Sequence, residues 1–165
     1  MKLPRRIEPA ANQESVWDYP RPPRLEDSHK LVQVIFNGVT IVHTNRAKRV
    51  LETSQPPAYY IPPEDIKMEY FIPAGKQTFC EWKGEASYYT IRVGDKSAHD
   101  AAWYYPHPTS GYREITNYIA IYPSLMDACY LNGEKVQAQE GDFYGGWITN
   151  DVVGPFKGGP GTYGW

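Results

Sequence analysis

Only two cysteines, Cys80 and Cys129, occur in the 165 residues, and neither belongs to a Cys-x-x-Cys pair. The four histidines, His29, His43, His99 and His107, are scattered. No stretch therefore has metal-ligand spacing, and neither a metal nor a cofactor is expected. Two unpaired thiols suit a reducing compartment. No apolar run approaches the roughly 20 residues that cross a bilayer. The first residues are basic but lack the apolar segment of a secretory leader. The expectation is a cytoplasmic protein without a membrane partner. Basic residues (17) do not outnumber acidic ones (19), and the net charge is −2, so the electrostatic footprint of a nucleic-acid binder is missing. Phosphate-loop and dinucleotide fingerprints are absent, and so is any Ser-His-Asp or Cys-His pattern.

What the chain has in quantity is aromatic side chains. They make up 15% of it, with 14 tyrosines and 5 tryptophans, against 41% hydrophobic and 22% charged residues. Such rings favour half-buried pleated surfaces and also form ligand platforms. The 15 prolines argue against long helices. The length suits one domain burying roughly two-thirds of its unfolded surface. The expected fold class is all-β: a compact single-domain β-sandwich or barrel-like set of sheets, built from short antiparallel strands and hairpins, with at most one or two short helical turns.

Three regions are distinguished. Residues 1–30 read as a proline-rich N-terminal arm, with Tyr19-Pro20-Arg21-Pro22-Pro23, docked on the domain or a neighbouring subunit through Trp17 and Tyr19, the bland alternative being a floppy tail. Residues 31–144 form the all-β domain. Residues 145–165 hold half of the 14 glycines together with Trp147, Phe156, Tyr163 and Trp165, and read as an ordered strap packed on the domain. Asn37-Gly38 and Asn132-Gly133, each between apolar runs, read as two-residue type I′ hairpin turns. Strands are expected over 68–72, 100–105 and 117–122, with Pro73-Ala74-Gly75 closing the first of these, and 46–53 reads as a further strand or one helical turn. One short helical turn is expected at Pro63.

Chemistry concentrates in 77–93. A strand over 78–82 and another over 86–93 meet at a Lys83-Gly84 corner, beside Cys80, Glu81 and Glu85. Cys80 is a nucleophile candidate if a cation three residues away supports its thiolate; the bland alternative is a buried structural thiol. Lys83 is an anion or carbonyl ligand, or an ordinary turn lysine. Tyr60, Tyr88, Trp103 and Tyr122 alternate along expected strands, as core or as walls of a pocket. Arg46, Arg49 and Glu52 form a polar set near the first hairpin, or a surface ion-pair arrangement.

Several motifs occur in a fixed order: Arg46-Ala47-x-Arg49-Val50-Leu51-Glu52-Thr53, Tyr59-Tyr60-Ile61-Pro62, Cys80-x-Trp82-Lys83-Gly84-x-Ala86-x-Tyr88, Ala101-Ala102-Trp103, Ile121-Tyr122-Pro123, Phe143-Tyr144-Gly145-Gly146-Trp147 and Gly154-Pro155-Phe156-Lys157. Together they resemble the bacterial domain of unknown function 427 family over nearly the whole chain. The resemblance implies a small all-β sandwich or barrel-like fold. It also brings a nucleotidyltransferase-like label, although the paired-aspartate metal signature of such chemistry is missing here. It points to Arg46, Glu52, Tyr60, Cys80, Lys83, Trp103 and Tyr122 as the positions of a site.

The leading expectation is a domain that binds a small polar or anionic molecule. Lys83 and Arg46 supply positive charge, Glu52 a carboxylate, and Tyr60, Tyr88, Trp103 and Tyr122 the walls. An enzyme using Glu52 as acid or base, or Cys80 assisted by Lys83, is the alternative. A homo-oligomeric module clasped by arm and strap is the third reading.

Overall fold

A computed structural model describes residues 3–165. The chain is all-β, built from several mainly antiparallel sheets that do not close into a barrel. Helical structure among the described residues amounts to five short 3₁₀ turns, more than the one or two expected.

The two Asn-Gly turns form as their sequences dictate. Val32–Phe36 turns through Asn37 (φ 45°) and Gly38 (φ 77°) into Val39–Thr44, and Ala128–Leu131 turns through Asn132 (φ 48°) and Gly133 (φ 81°) into Glu134–Lys135. Both residues of each turn take the positive φ that this turn type needs. The hairpins lie side by side in one four-stranded sheet, because Ala128–Leu131 pairs antiparallel with Val32–Phe36. Their turns are also tied to each other's strands. The Asp127 carboxylate accepts from the Gly38 amide at 2.9 Å, and the Asn132 side chain accepts from the Leu31 amide at 2.8 Å.

A second four-stranded sheet runs in the order Ile119–Ile121, Lys96–Tyr104, Gly84–Val93, Phe71–Cys80. Residues 68–70 are a 3₁₀ turn instead of the expected strand start, and the strand does not stop at Pro73. It bulges between Pro73 and Gln77 and continues to Cys80. Phe71–Cys80 is an edge strand, where a proline without an amide proton costs no ladder hydrogen bond. Trp82, expected at the end of this strand, belongs to the turn. A three-stranded sheet of Arg24–Asp27, Lys48–Leu51 and Ala58–Tyr60 joins the second through Ile61 and Ile119, which exchange two backbone hydrogen bonds of 2.9 Å. Arg24–Asp27 falls inside the segment read as an arm, yet it is part of a sheet.

Pleat alternation sorts the buried side chains into separate clusters. Ala102, Ile119, Ile121 and Tyr59 enter the main core with Val32, Val34, Phe36 and Trp147. Their neighbours Trp103, Ala120 and Tyr60 enter a second cluster with Tyr88 and Tyr105. The second sheet thus has one face in the main core and the other under the candidate site.

The N-terminal segment and the last residues meet each other. Glu14–Ser15 pairs in parallel with Val152–Val153, Trp17 Nε1 donates to Pro155 O at 2.8 Å, and the Trp17 and Trp165 ring centroids lie 5.7 Å apart. Arg49 binds both Glu14 and Glu26 at 2.5 Å. Burial works to raise the Glu14 pKa, but its hydrogen bonds from Arg49 and Tyr19 hold it below the usual 4.5. The folded-state value is thus the lower one, so Glu14 stabilises the fold above pH 4.5 and loses that effect as pH falls through the folded value. Acidification is expected to change Trp17 and Trp165 fluorescence before global unfolding. Glu14→Gln, which cannot titrate, should abolish that early change, and an identical acid limb in the variant would contradict this assignment.

Among the described residues no helix is long and apolar enough to cross a membrane.

Candidate functional site

The turn at 81–83 is where Phe71–Cys80 reverses into Gly84–Val93. Gly84 takes φ +106°, and a Cβ there would stand 3.4 Å from His107 O. Glycine therefore lets the corner lie against the segment 107–109. Thr109 fastens it from outside: its amide donates to Lys83 O at 3.0 Å and its hydroxyl to Trp82 O at 2.5 Å. Held this way, Lys83 turns inward and is only 8% exposed.

Beneath the turn lies a cavity of about 410 Å³. Its buried lining comes from three places. Val50 and Tyr60 belong to the three-stranded sheet, Tyr88 and Trp103 are paired neighbours on the second sheet, and Tyr105 follows directly. Gln139 and Gly146 close the far side. The Trp103 indole donates to Tyr60 Oη at 3.1 Å, and the two rings meet edge-on. Phe79 and Phe143, 75% and 51% exposed, stand at the mouth.

Six of the residues named from sequence line this one cavity: Glu52, Tyr60, Cys80, Lys83, Tyr88 and Trp103. Lys83 Nζ donates to Cys80 Sγ at 3.3 Å and lies 5.7 Å from the Tyr105 ring centroid. Burial opposes the Lys83 charge, but its polar surroundings, with the Cys80 contact and the Glu52 carboxylate, raise its proton affinity above that of an ordinary lysine, so it is charged at neutral pH. Burial also raises the pKa values of Tyr60 and Tyr105, which keeps both phenols protonated. Glu52 faces Arg21, with 3.8 Å between Oε2 and Nε.

Two residues named from sequence stand elsewhere. Tyr122 packs behind Trp103, with ring centroids 4.7 Å apart, and its hydroxyl donates to Phe143 O at 2.7 Å, so it braces the wall without lining it. Arg46 is outside the lining altogether. Its guanidinium grips Asp65 in a fork, at 2.8 and 3.1 Å, with the side chain 61% exposed. Such a residue satisfies its charge locally on the surface.

Several lining residues were not anticipated. Gln139 accepts from the Gly146 amide at 2.9 Å and donates to Lys157 O at 2.7 Å and to Gln55 at 3.2 Å. It knits three remote segments together, and no local sequence signal marks it. Lys157 lies with Nζ 5.0 Å from the Tyr144 ring centroid. Among the described residues no three His, Cys, Asp or Glu side chains gather as a metal site.

The two thiols differ in surroundings. Cys129 is 2% exposed and burial pushes its pKa up to about 12, whereas Cys80 lines the cavity. Iodoacetamide at mildly alkaline pH is expected to modify one thiol per native chain, and Cys80→Ser should remove that reactivity. Labelling of both in the native protein would contradict the burial of Cys129.

Fold and cavity together define a small all-β domain with an aromatic-walled hollow under a lysine-bearing hairpin turn. The family described as Domain of unknown function (DUF427) matches residues 24–132, and the chain belongs to it. The match includes the turn and the sheets around it, while the closing strap lies beyond it. No curated protein matches the chain.

Proposed function

We propose that the domain binds a small polar or anionic molecule in this cavity. The Lys83 ammonium carries the reading. It is buried, lines a hollow, has a thiol sulfur as its side-chain hydrogen-bond partner, and forms no ion pair among the described residues. Its surroundings keep it charged without a direct salt bridge, so an incoming anion would be its first contacting counter-charge. Ring-lined walls with few convergent polar groups are the usual make-up of a small-molecule site.

A thermal-shift screen of metabolites, nucleotides included, tests this. A ligand should raise the melting temperature of the native chain by mass action and leave Lys83→Met unmoved. If every shift found is the same in the variant, the reading is lost.

The 3.3 Å contact between thiol and ammonium favours a second reading, an enzyme with Cys80 as nucleophile, Lys83 assisting and Glu52 as acid or base. Cys80→Ser separates the two. It would abolish turnover by a thiol enzyme, yet leave ligand-induced melting shifts in place for a binding domain.

A further inference from the structure

The geometry points to a class of occupant: a planar monocarboxylate, that is, an aromatic or conjugated acid with a single anionic group. This rests on the binding reading above and narrows it.

Charge comes first. The lining carries two acids, Glu52 and Glu81, and two lysines, Lys83 and Lys157. Glu52 is drawn toward Arg21, Glu81 is exposed, and Lys157 leans on the Tyr144 ring. Lys83 alone is buried, and among the described residues it makes no direct ion pair, although Glu52 is near enough to favour its charge. Lys83 is thus the buried cation of the lining, and a single anionic group placed against it would pair with it. A nucleoside triphosphate would bring several negative charges next to Glu52 and Glu81, at a site with no arginine in its lining to grip phosphate in a fork.

The donors agree with this. Lysine offers a point charge, suited to a carboxylate approached from one side. Tyr105 and Tyr60 stand near it with protonated phenols. Tyr60 Oη already accepts from the Trp103 indole, which leaves its own proton available for donation.

The rings settle the rest of the molecule. Phe79 and Phe143 are among the few large apolar side chains left exposed, and both stand at this mouth, with half-buried Trp82 and Tyr144 beside them. Exposed rings clustered at a cavity entrance suit a flat apolar body that covers them. A short aliphatic acid or a sugar phosphate would leave them wet.

Isothermal titration of the full chain tests the class, with benzoate and cinnamate, their neutral amides, acetate, and ATP with magnesium as probes. The aromatic acids are expected to bind at least tenfold more tightly than their amides and than acetate. Lys83→Met should erase the difference between acid and amide, and Phe143→Ala should weaken the acids severalfold. The acid–amide comparison needs no variant, so a poorly folded Lys83→Met leaves the test intact. Equal binding of acid and amide by the native chain overturns the class. A Lys83-dependent signal from magnesium ATP with none from the acids overturns the class and leaves an anion site. Absence of a Lys83-dependent signal from every probe removes both the class and the site.

Discussion

Trp147→Ala is expected to destabilise the fold by about 3–5 kcal/mol, the range for removing a buried large aromatic. Trp147 heads the fully buried side chains, at 1% exposure. Its ring packs on Tyr59 with centroids 5.3 Å apart, and its indole donates to Ile121 O at 3.1 Å. Alanine would leave both a void and a buried carbonyl without its partner, two costs that add. For a chain of this size the melting temperature should fall by roughly 6–20 °C. Trp147→Phe keeps most of the volume and should cost less. A melting curve for the alanine variant within about 1 °C of the parent would show that this tryptophan does not anchor the core.

Gly145→Ala is the second large effect, and it links stability to the cavity. A Cβ at Gly145 would stand 2.8 Å from ring atoms of both Trp103 and Tyr122, at a backbone φ of +71°. Neither ring can step aside cheaply, since Trp103 is fixed to Tyr60 and Tyr122 to Phe143 O. Overpacking a tight core costs about 1–3 kcal/mol, and the left-handed backbone adds about 1 kcal/mol for a residue other than glycine. The total expectation is about 2–4 kcal/mol, with Phe143 and Tyr144 pushed from the cavity wall. Gly133→Ala is the control: φ is +81° but nothing lies within 4 Å of its Cβ, so only the backbone cost applies. Denaturant melts should rank Gly145→Ala well below Gly133→Ala in stability. Equal losses would mean that the contact with the two rings does not matter.

Both Asn-Gly turns were legible because two residues with obligatory positive φ write their geometry into the sequence. That the two hairpins share a sheet was not legible, since pairing between Ala128–Leu131 and Val32–Phe36 depends on packing between remote segments. Pro73 was misread for a different reason. Proline normally ends a strand, and only the edge position of Phe71–Cys80 allows it to sit inside one. At the site, Cys80 and Lys83 lie close together on one turn, and Trp103 and Tyr88 follow from strand alternation, so a local reading could gather them. Gln139, Lys157 and Phe143 reach the cavity only because the last third of the chain folds back over it, a closure that no periodicity records. Arg46 shows the converse error, since a charged residue within a recognisable motif found its partner, Asp65, on the outer surface.

The tie between Leu31 and Asn132 joins positions 101 residues apart in the sequence. During synthesis the amino-terminal hairpin therefore leaves the ribosome with one long edge open, and waits for Ala128–Leu131 to be made before that edge can be covered. Assembly led by such distant pairing is slow, because loop closure must precede the contacts that reward it. Until Ala128–Leu131 arrives, the open edge of Val32–Phe36 offers unpaired backbone groups to other chains.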